Sequence, residues 1–210
     1  MMQFEPIIEP VTYCNGRKAW TWRVLFRDDA GEPVGVTSQY RGRQRTEAPS
    51  RRAALKAAKA EIGRVRHHRL FLIRVTREDI ANGTGRSIHD CPVAQALYRE
   101  KETMGLDKWR HGFRVETYAC FIDADGLVLT DRDGTEHAID PPDVVFPCKN
   151  ERGWCAESMM EWTMLFDDWY DSQGVTAREW RREHDGDGKP GKMWPVSFVL
   201  DLDELLVAES

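Results

Sequence analysis

The sequence predicts an α+β fold: a small β-hairpin-plus-helix module at the N-terminus, followed by a larger α+β domain. Three observations predict it. Residues 17–27 (RKAWTWRVLFR) alternate with the period of a half-buried strand. Residues 51–66 repeat with the period of a helix. Beyond residue 70, strand-like and helix-like segments mix too irregularly for a doubly wound parallel sheet. A length of 210 residues allows one or two domains, and 41% apolar content is enough for a packed core.

In chain order, Trp20, Trp22, Val24 and Phe26 share one side of the first strand. The stretch from Asp28 to Pro33 is a turn, and Val34–Tyr40 returns as the second arm of a hairpin. A short extended piece, Arg41–Glu47, follows. Ser50 is the expected N-cap of a helix over 51–66, a segment rich in Ala, Lys and Arg. At 100° per residue, Ala54, Leu55, Ala58, Ile62 and Val65 fall on its inner face and Arg52, Lys56, Lys59 and Arg66 opposite. Leu70–Thr76 is a strand. Thr76 and Asp79 open a short helix that Gly83 ends. Asp90 is the expected cap of a helix running through PVAQALYRE. Phe113–Cys120 reads as a strand, and Gly126–Thr130 with Thr135–Ile139 as a hairpin. Ser158 and Glu161 spell a capping box before a helix with Trp162, Leu165, Phe166 and Trp169. Thr176 caps a short charged helix, residues 185–192 form a loop, and Trp194–Leu202 is the last strand.

The formal net charge of −5 conceals a split. Residues 1–76 hold fifteen Lys/Arg and seven Asp/Glu, a net of +8; residues 77–210 hold fifteen and twenty-eight, a net of −13. The expected division is a basic β-sheet/helix module over 1–68 and an acidic α+β domain over 69–210. No apolar run approaches the ~18 residues of a membrane span, and MMQFEPIIEP lacks the basic and apolar regions of a signal peptide. Five cysteines, an odd number without an export signal, point to reduced thiols in a cytosol.

Residues 72–97 (LIRVTREDIANGTGRSIHDCPVAQAL) resemble a motif of small uncharacterised proteins of phages and bacteria, many from actinobacterial phages. Those look like a strand, VTxEDIxxG, a spacer, CPxAxAL, a helix with an FD pair, and a strand like PFSFEL. Phe166-Asp167 and the stretch Trp194–Leu200 stand here in matching order. The likeness covers roughly 70–202, with insertions around 123–157 and 173–190. It implies an α+β domain of phage or prophage origin and no particular activity. Members often carry a second cysteine three residues before the CP cysteine; here that position is Ile88, which puts a two-cysteine metal or redox role in doubt.

The helix stripe Arg52, Lys56, Lys59 and Arg66 spans ~20 Å and suits a nucleic-acid backbone or another acidic surface. The same pattern also describes a solvated face balanced by the acidic half. Arg51 and Arg52 oppose the helix dipole at a small cost, which favours a binding role. Arg41, Arg43 and Arg45 extend the candidate interface, as would Arg23 and Arg27 in a sheet reader.

Other constellations read as structure. Gly186–Lys192 nearly spells a phosphate-binding loop, but Met193 replaces the hydroxyl and a strand follows where a helix is needed. Asp123–Gly126 and Asp131–Gly134 lack the Gly and Glu positions of a calcium loop and are turns. The spacing of Cys148 and Cys155 is too wide for an ordinary zinc pair, so no metal and no cofactor are expected. Cys120 reads as core. His89-Asp90-Cys91 holds catalytic residue types, and a thiol at a helix N-terminus has a lowered pKa, so Cys91 is a candidate reactive thiol. Neighbours in sequence do not make a triad. Trp20, Trp22, Trp162 and Trp169 fall on core faces, while Trp109, Trp154, Trp180 and Trp194 lie in charged or loop-like contexts.

The expected function is that of a phage-type cytosolic accessory protein, non-enzymatic, binding nucleic acid through its basic module. The alternatives are a protein-interaction module or inhibitor of a host protein acting through the acidic half, and a cysteine-dependent enzyme. No membrane partner is expected.

Overall fold

The computed structural model describes residues 2–37, 40–41, 44–100, 103, 112–115, 127–130, 136–139, 143–146, 155–184, 188–201 and 203. In chain order its elements are β1 (Gln3–Thr12), β2 (Lys18–Arg27), β3 (Pro33–Val36), β4 (Tyr40–Arg41), β5 (Gln44–Arg45), β6 (Glu47–Ala48), α1 (Arg51–Val65), β7 (Leu70–Val75), α2 (Arg77–Asn82) and α3 (Pro92–Glu100). They continue with β8 (Gly112–Val115), β9 (Leu127–Thr130), β10 (Glu136–Ile139), β11 (Asp143–Phe146), β12 (Cys155–Ser158), α4 (Met159–Asp171), α5 (Ala177–Glu183) and β13 (Val196–Asp201). The fold is α+β. None of the described helices is long and apolar enough to cross a membrane.

The chain forms two compact units. One comprises residues 1–73, 140–158 and 197–210; the other comprises 74–139 and 159–196. These are not the contiguous stretches 1–68 and 69–210 that the charge split suggests. The reason is strand pairing: an eight-stranded sheet runs β1-β2-β3-β11-β13-β7, with β12 on β11 and β6 on β2. The sheet therefore draws strands from both ends of the sequence.

In the first unit, β1 and β2 form an antiparallel hairpin in full ten-residue register, Gln3 opposite Arg27 and Thr12 opposite Lys18. Its tip turns at Gly16, whose φ of 79° suits glycine alone among common residues. β1, a segment to which no strand is assigned from the sequence, contains Pro6 and Pro10. Both are tolerated because β1 is the end strand of the sheet, where missing N–H donors cost nothing. The β2–β3 turn is held by Asp28, whose Oδ1 accepts from the backbone N–H of Ala30 and Glu32, both at 3.0 Å. Strands β11 and β12 fell within a stretch read as an insertion; Val144 and Val145 are instead core residues, buried at 0% and 4% exposure.

Helix α1 packs on β1 and β2. Ser50 caps it as predicted, its hydroxyl accepting from Ala53 N–H. Ala54, Ala58 and Val65 are buried as expected, but Leu55 and Ile62 are only half-buried. The inner face instead takes in Glu61, whose two carboxylate oxygens accept from Arg64 Nη2 at 2.7 Å and Nε at 3.2 Å. Beyond the helix end, Phe26, Val34, Val65 and Val199 make one apolar cluster with Phe4, Leu70 and Leu72 around it. Gly35 is where β13 comes close: a Cβ there would stand 2.6 Å from Val199 Cγ2.

In the second unit, β8, β9 and β10 form an antiparallel three-stranded sheet. The predicted hairpin matches β9 and β10; of the predicted strand Phe113–Cys120, β8 covers the first residues and 116–120 lie outside the described residues. Thr76 and Thr176 cap α2 and α5 as predicted, each closing a capping box, Thr76 with Asp79 and Thr176 with Glu179. Ser158 immediately precedes α4. Helix α4 buries Met159, Met160, Trp162, Thr163 and Phe166. Leu165, placed on its inner stripe by sequence, is 47% exposed. Trp180, read as lying in a charged context, is buried at 4%. Trp109 and Trp154 lie outside the described residues.

Candidate functional site

The candidate interface is built on α1. Ser50 fixes where the helix starts, and the small Ala54 and Ala58 let it lie close to the β1–β2 hairpin. With that face pinned, helical periodicity turns Arg52, Lys56 and Lys59 outward, and all three are exposed together with Arg51. Arg66, the C-cap residue, is exposed on the same side and donates its backbone N–H to Ile62 O. Ser50, Arg52, Ala53, Leu55, Lys56 and Lys59 line an open groove of about 550 Å³. Of Arg41 and Arg45, in the paired β4–β5 ribbon, only the backbone is described, and Arg43 lies outside the described residues.

The electrostatics of this face stand out against the other arginines of the unit. Arg17 reaches Glu47 at 3.1 Å, Arg27 reaches Glu5 at 2.9 Å, Arg64 reaches Glu61 at 2.7 Å and Arg69 reaches Asp203 at 2.8 Å. Arg23, predicted as a further phosphate contact, is instead drawn to Asp143 at 3.2 Å, with Glu9 at 3.7 Å. Arg27 is likewise committed to its carboxylate. Among the described residues, Arg51, Arg52, Lys56, Lys59 and Arg66 make no ion pair. The first turn of α1 contains no acidic residue either. The helix N-terminus thus carries two positive charges against its own dipole, with no carboxylate to offset them.

The second candidate was Cys91. It stands immediately before Pro92 at the start of α3, and its carbonyl accepts the first helical bond from Gln95 N–H. Cys91, not Asp90, is therefore the cap residue. Asp90 instead turns back on the preceding loop, accepting from Ser87 Oγ at 3.1 Å. The expected low pKa is overturned. Burial pushes the Cys91 thiol up to about 11; the N–H groups of Ala94 and Val93 pull it down, and the carboxylates of Asp167 and Asp90 push it further up. At 1% exposure this thiol packs as a small apolar core residue. Cys14, by contrast, is exposed.

Around Cys91, the segment before α3 and helix α4 are tied by charge. The backbone N–H of Arg86 donates to Asp167 Oδ1 at 2.8 Å, and Arg86 Nη2 meets Asp171 at 2.6 Å. Arg86 holds a left-handed φ of 57°, unusual for a side chain of that length. Burial pushes the Asp167 carboxyl above the ordinary carboxylate value, with the Arg86 contacts opposing. Asp79 behaves oppositely: burial would raise it, but hydrogen bonds from Arg99 and Thr76 outweigh burial and hold it down. Both arrangements fasten α2, α3 and α4 within this unit. Among the described residues, no three His, Cys, Asp or Glu side chains converge as metal ligands would. Residues 188–192, the described part of the stretch resembling a phosphate-binding loop, are followed by 193–195 and β13, not by a helix.

No family model matches the chain, and no curated protein or solved structure matches it.

Proposed function

We propose that the protein binds the backbone of a nucleic acid through the exposed face of α1, as a non-enzymatic accessory protein of phage type. Arg52, Lys56, Lys59 and Arg66 serve as phosphate contacts, with Arg51 at the helix start and Arg41, Arg43 and Arg45 extending the interface from the preceding segment. The observation that carries this is the contrast in pairing. Of the eight arginines of the first unit whose side chains are described, the five away from this face end on carboxylates and the three on it do not. A face kept only for solubility would gain from an acidic residue in the first turn of α1, and there is none. Lys and Arg spaced along ~20 Å of helix fit a row of phosphates, which supply affinity without reading sequence.

The test is filter binding of the whole chain to duplex and single-stranded oligonucleotides across a salt series. Affinity falls as salt rises, and each phosphate contact removed lowers the slope of log K against log salt by about 0.7–0.9. An Arg52→Ala/Lys56→Ala/Lys59→Ala variant should bind more weakly, with a shallower slope. Absence of binding at low salt, or an unchanged slope in the variant, overturns the proposal.

A further inference from the structure

We infer that the outward face of α4 is a docking surface for a cationic amphipathic helix of a partner protein. The helix sequence, MMEWTMLFDDWYD, has no Lys or Arg. With Met159, Trp162, Thr163 and Phe166 buried, the positions turned outward are Glu161, Met164, Leu165 and Asp168, at the i, i+3, i+4, i+7 spacing of one helical face. Met164 is 50% exposed and Leu165 is 47% exposed, so two large apolar side chains sit side by side in solvent between two carboxylates. Asp168 makes no ion pair among the described residues. At the first turn of the helix, Trp162 Nε1 donates to the backbone carbonyl of Trp194, whose own side chain is 53% exposed. All six large hydrophobic residues exposed among the described residues, Ile88, Tyr98, Met164, Leu165, Tyr170 and Trp194, belong to the second unit.

Single exposed apolar residues are ordinary, but an adjacent pair on a helix face without Lys or Arg, with the carboxylate of Asp168 beside it, has a defined complement. It fits a pair of apolar anchors over Met164 and Leu165, with Lys or Arg placed to meet Asp168. Charge selects a basic partner, since the second unit holds fourteen Lys/Arg against twenty Asp/Glu. The surface is independent of the α1 interface.

The test titrates the full chain with a fluorescent Leu/Lys peptide designed as an amphipathic helix and, separately, with a scrambled peptide of the same composition. The amphipathic peptide should bind saturably, and Met164→Ser/Leu165→Ser should weaken it by about tenfold or more. Asp168→Asn should reduce its salt dependence, and the α1 alanine variant should bind it like the parent. Circular dichroism confirms that the Ser variant keeps its fold, as expected for exposed positions. Equal binding of the two peptides, or parent-like binding by the Ser variant, overturns the inference. So does sedimentation showing that the parent self-associates and the Ser variant does not, because the face is then covered by a second copy.

Discussion

Arg23 and Arg52 lie in the same unit and have opposite surroundings. Arg23 projects from β2, with a side chain 17% exposed, onto Asp143, a residue 120 positions away in sequence. Arg52 stands on the outer face of α1 and meets no carboxylate. The difference follows from topology. Strands β11 and β13 and the residues after them bring Asp143, Asp201 and Asp203 to Arg23, His68 and Arg69. The +8 of residues 1–76 is thereby offset within one folded body: the first unit holds sixteen Lys/Arg and fifteen Asp/Glu, a net of +1, and the second a net of −6. Compensation reaches the sheet and the end of α1 but not its outer face. That makes the remaining cations more informative than the linear charge split from which they were first noticed.

The largest effect should come from breaking the compensated side of this contrast. Asp143→Ala leaves the Arg23 guanidinium largely buried with only the more distant Glu9, and should cost about 2–3 kcal/mol of stability in urea unfolding. Lys56→Ala and Lys59→Ala should each stay within about 0.5 kcal/mol of the parent, as for exposed positions without partners. A loss at Lys56 equal to that at Asp143 would erase the distinction.

A comparable contrast among carboxylates gives the next largest effect. Asp79 is held below its ordinary pKa and Asp167 above it. A depressed carboxylate contributes stability that is present above its unfolded pKa of 3.8 and lost as pH falls through the lower folded value. A raised one does the reverse, costing stability at neutral pH and relieving it on protonation. Asp79→Asn should therefore lower stability at pH 7 by about 1–2 kcal/mol and flatten the loss of stability in acid, whereas Asp167→Asn should raise or preserve stability at pH 7. Thermal unfolding of both variants between pH 3 and 7 distinguishes them, and parallel curves would contradict the assignment.

Much of this architecture was legible in sequence because periodicity reports local burial. The helix over 51–65, the caps at Thr76 and Thr176, the 127–139 hairpin and the last strand all followed from spacing and turn chemistry. What was not legible depends on distant pairing. Pro6 and Pro10 fit β1 through its edge position, and the short run Asp143–Phe146 becomes a core strand only when β3, β12 and β13 lie beside it. The stripe Arg52, Lys56, Lys59 and Arg66 was readable from helical phase alone. Which arginines were already committed was not, because the partners of Arg23 and Arg69 lie more than a hundred residues away. Cys91 departs from its sequence reading for a similar reason: a helix N-terminus lowers a thiol pKa, but burial, which leaves Cys91 1% exposed, belongs to the packed unit and dominates.

The smallest effect offers the sharpest separation, because stability and binding should move in opposite directions. Arg51 begins α1, where a positive charge opposes the helix dipole and no acid stands in the first turn. Arg51→Glu removes that repulsion and should raise stability by about 0.3–1 kcal/mol, while placing a negative charge where phosphates are proposed to sit. If α1 is only a solvated face, the variant gains stability and loses nothing measurable. If α1 holds a nucleic-acid backbone, the same variant melts slightly higher and binds oligonucleotides more weakly at low salt, with the deficit shrinking as salt screens the new charge. A helix that keeps arginine at the position where glutamate would stabilise it is then explained by what it binds.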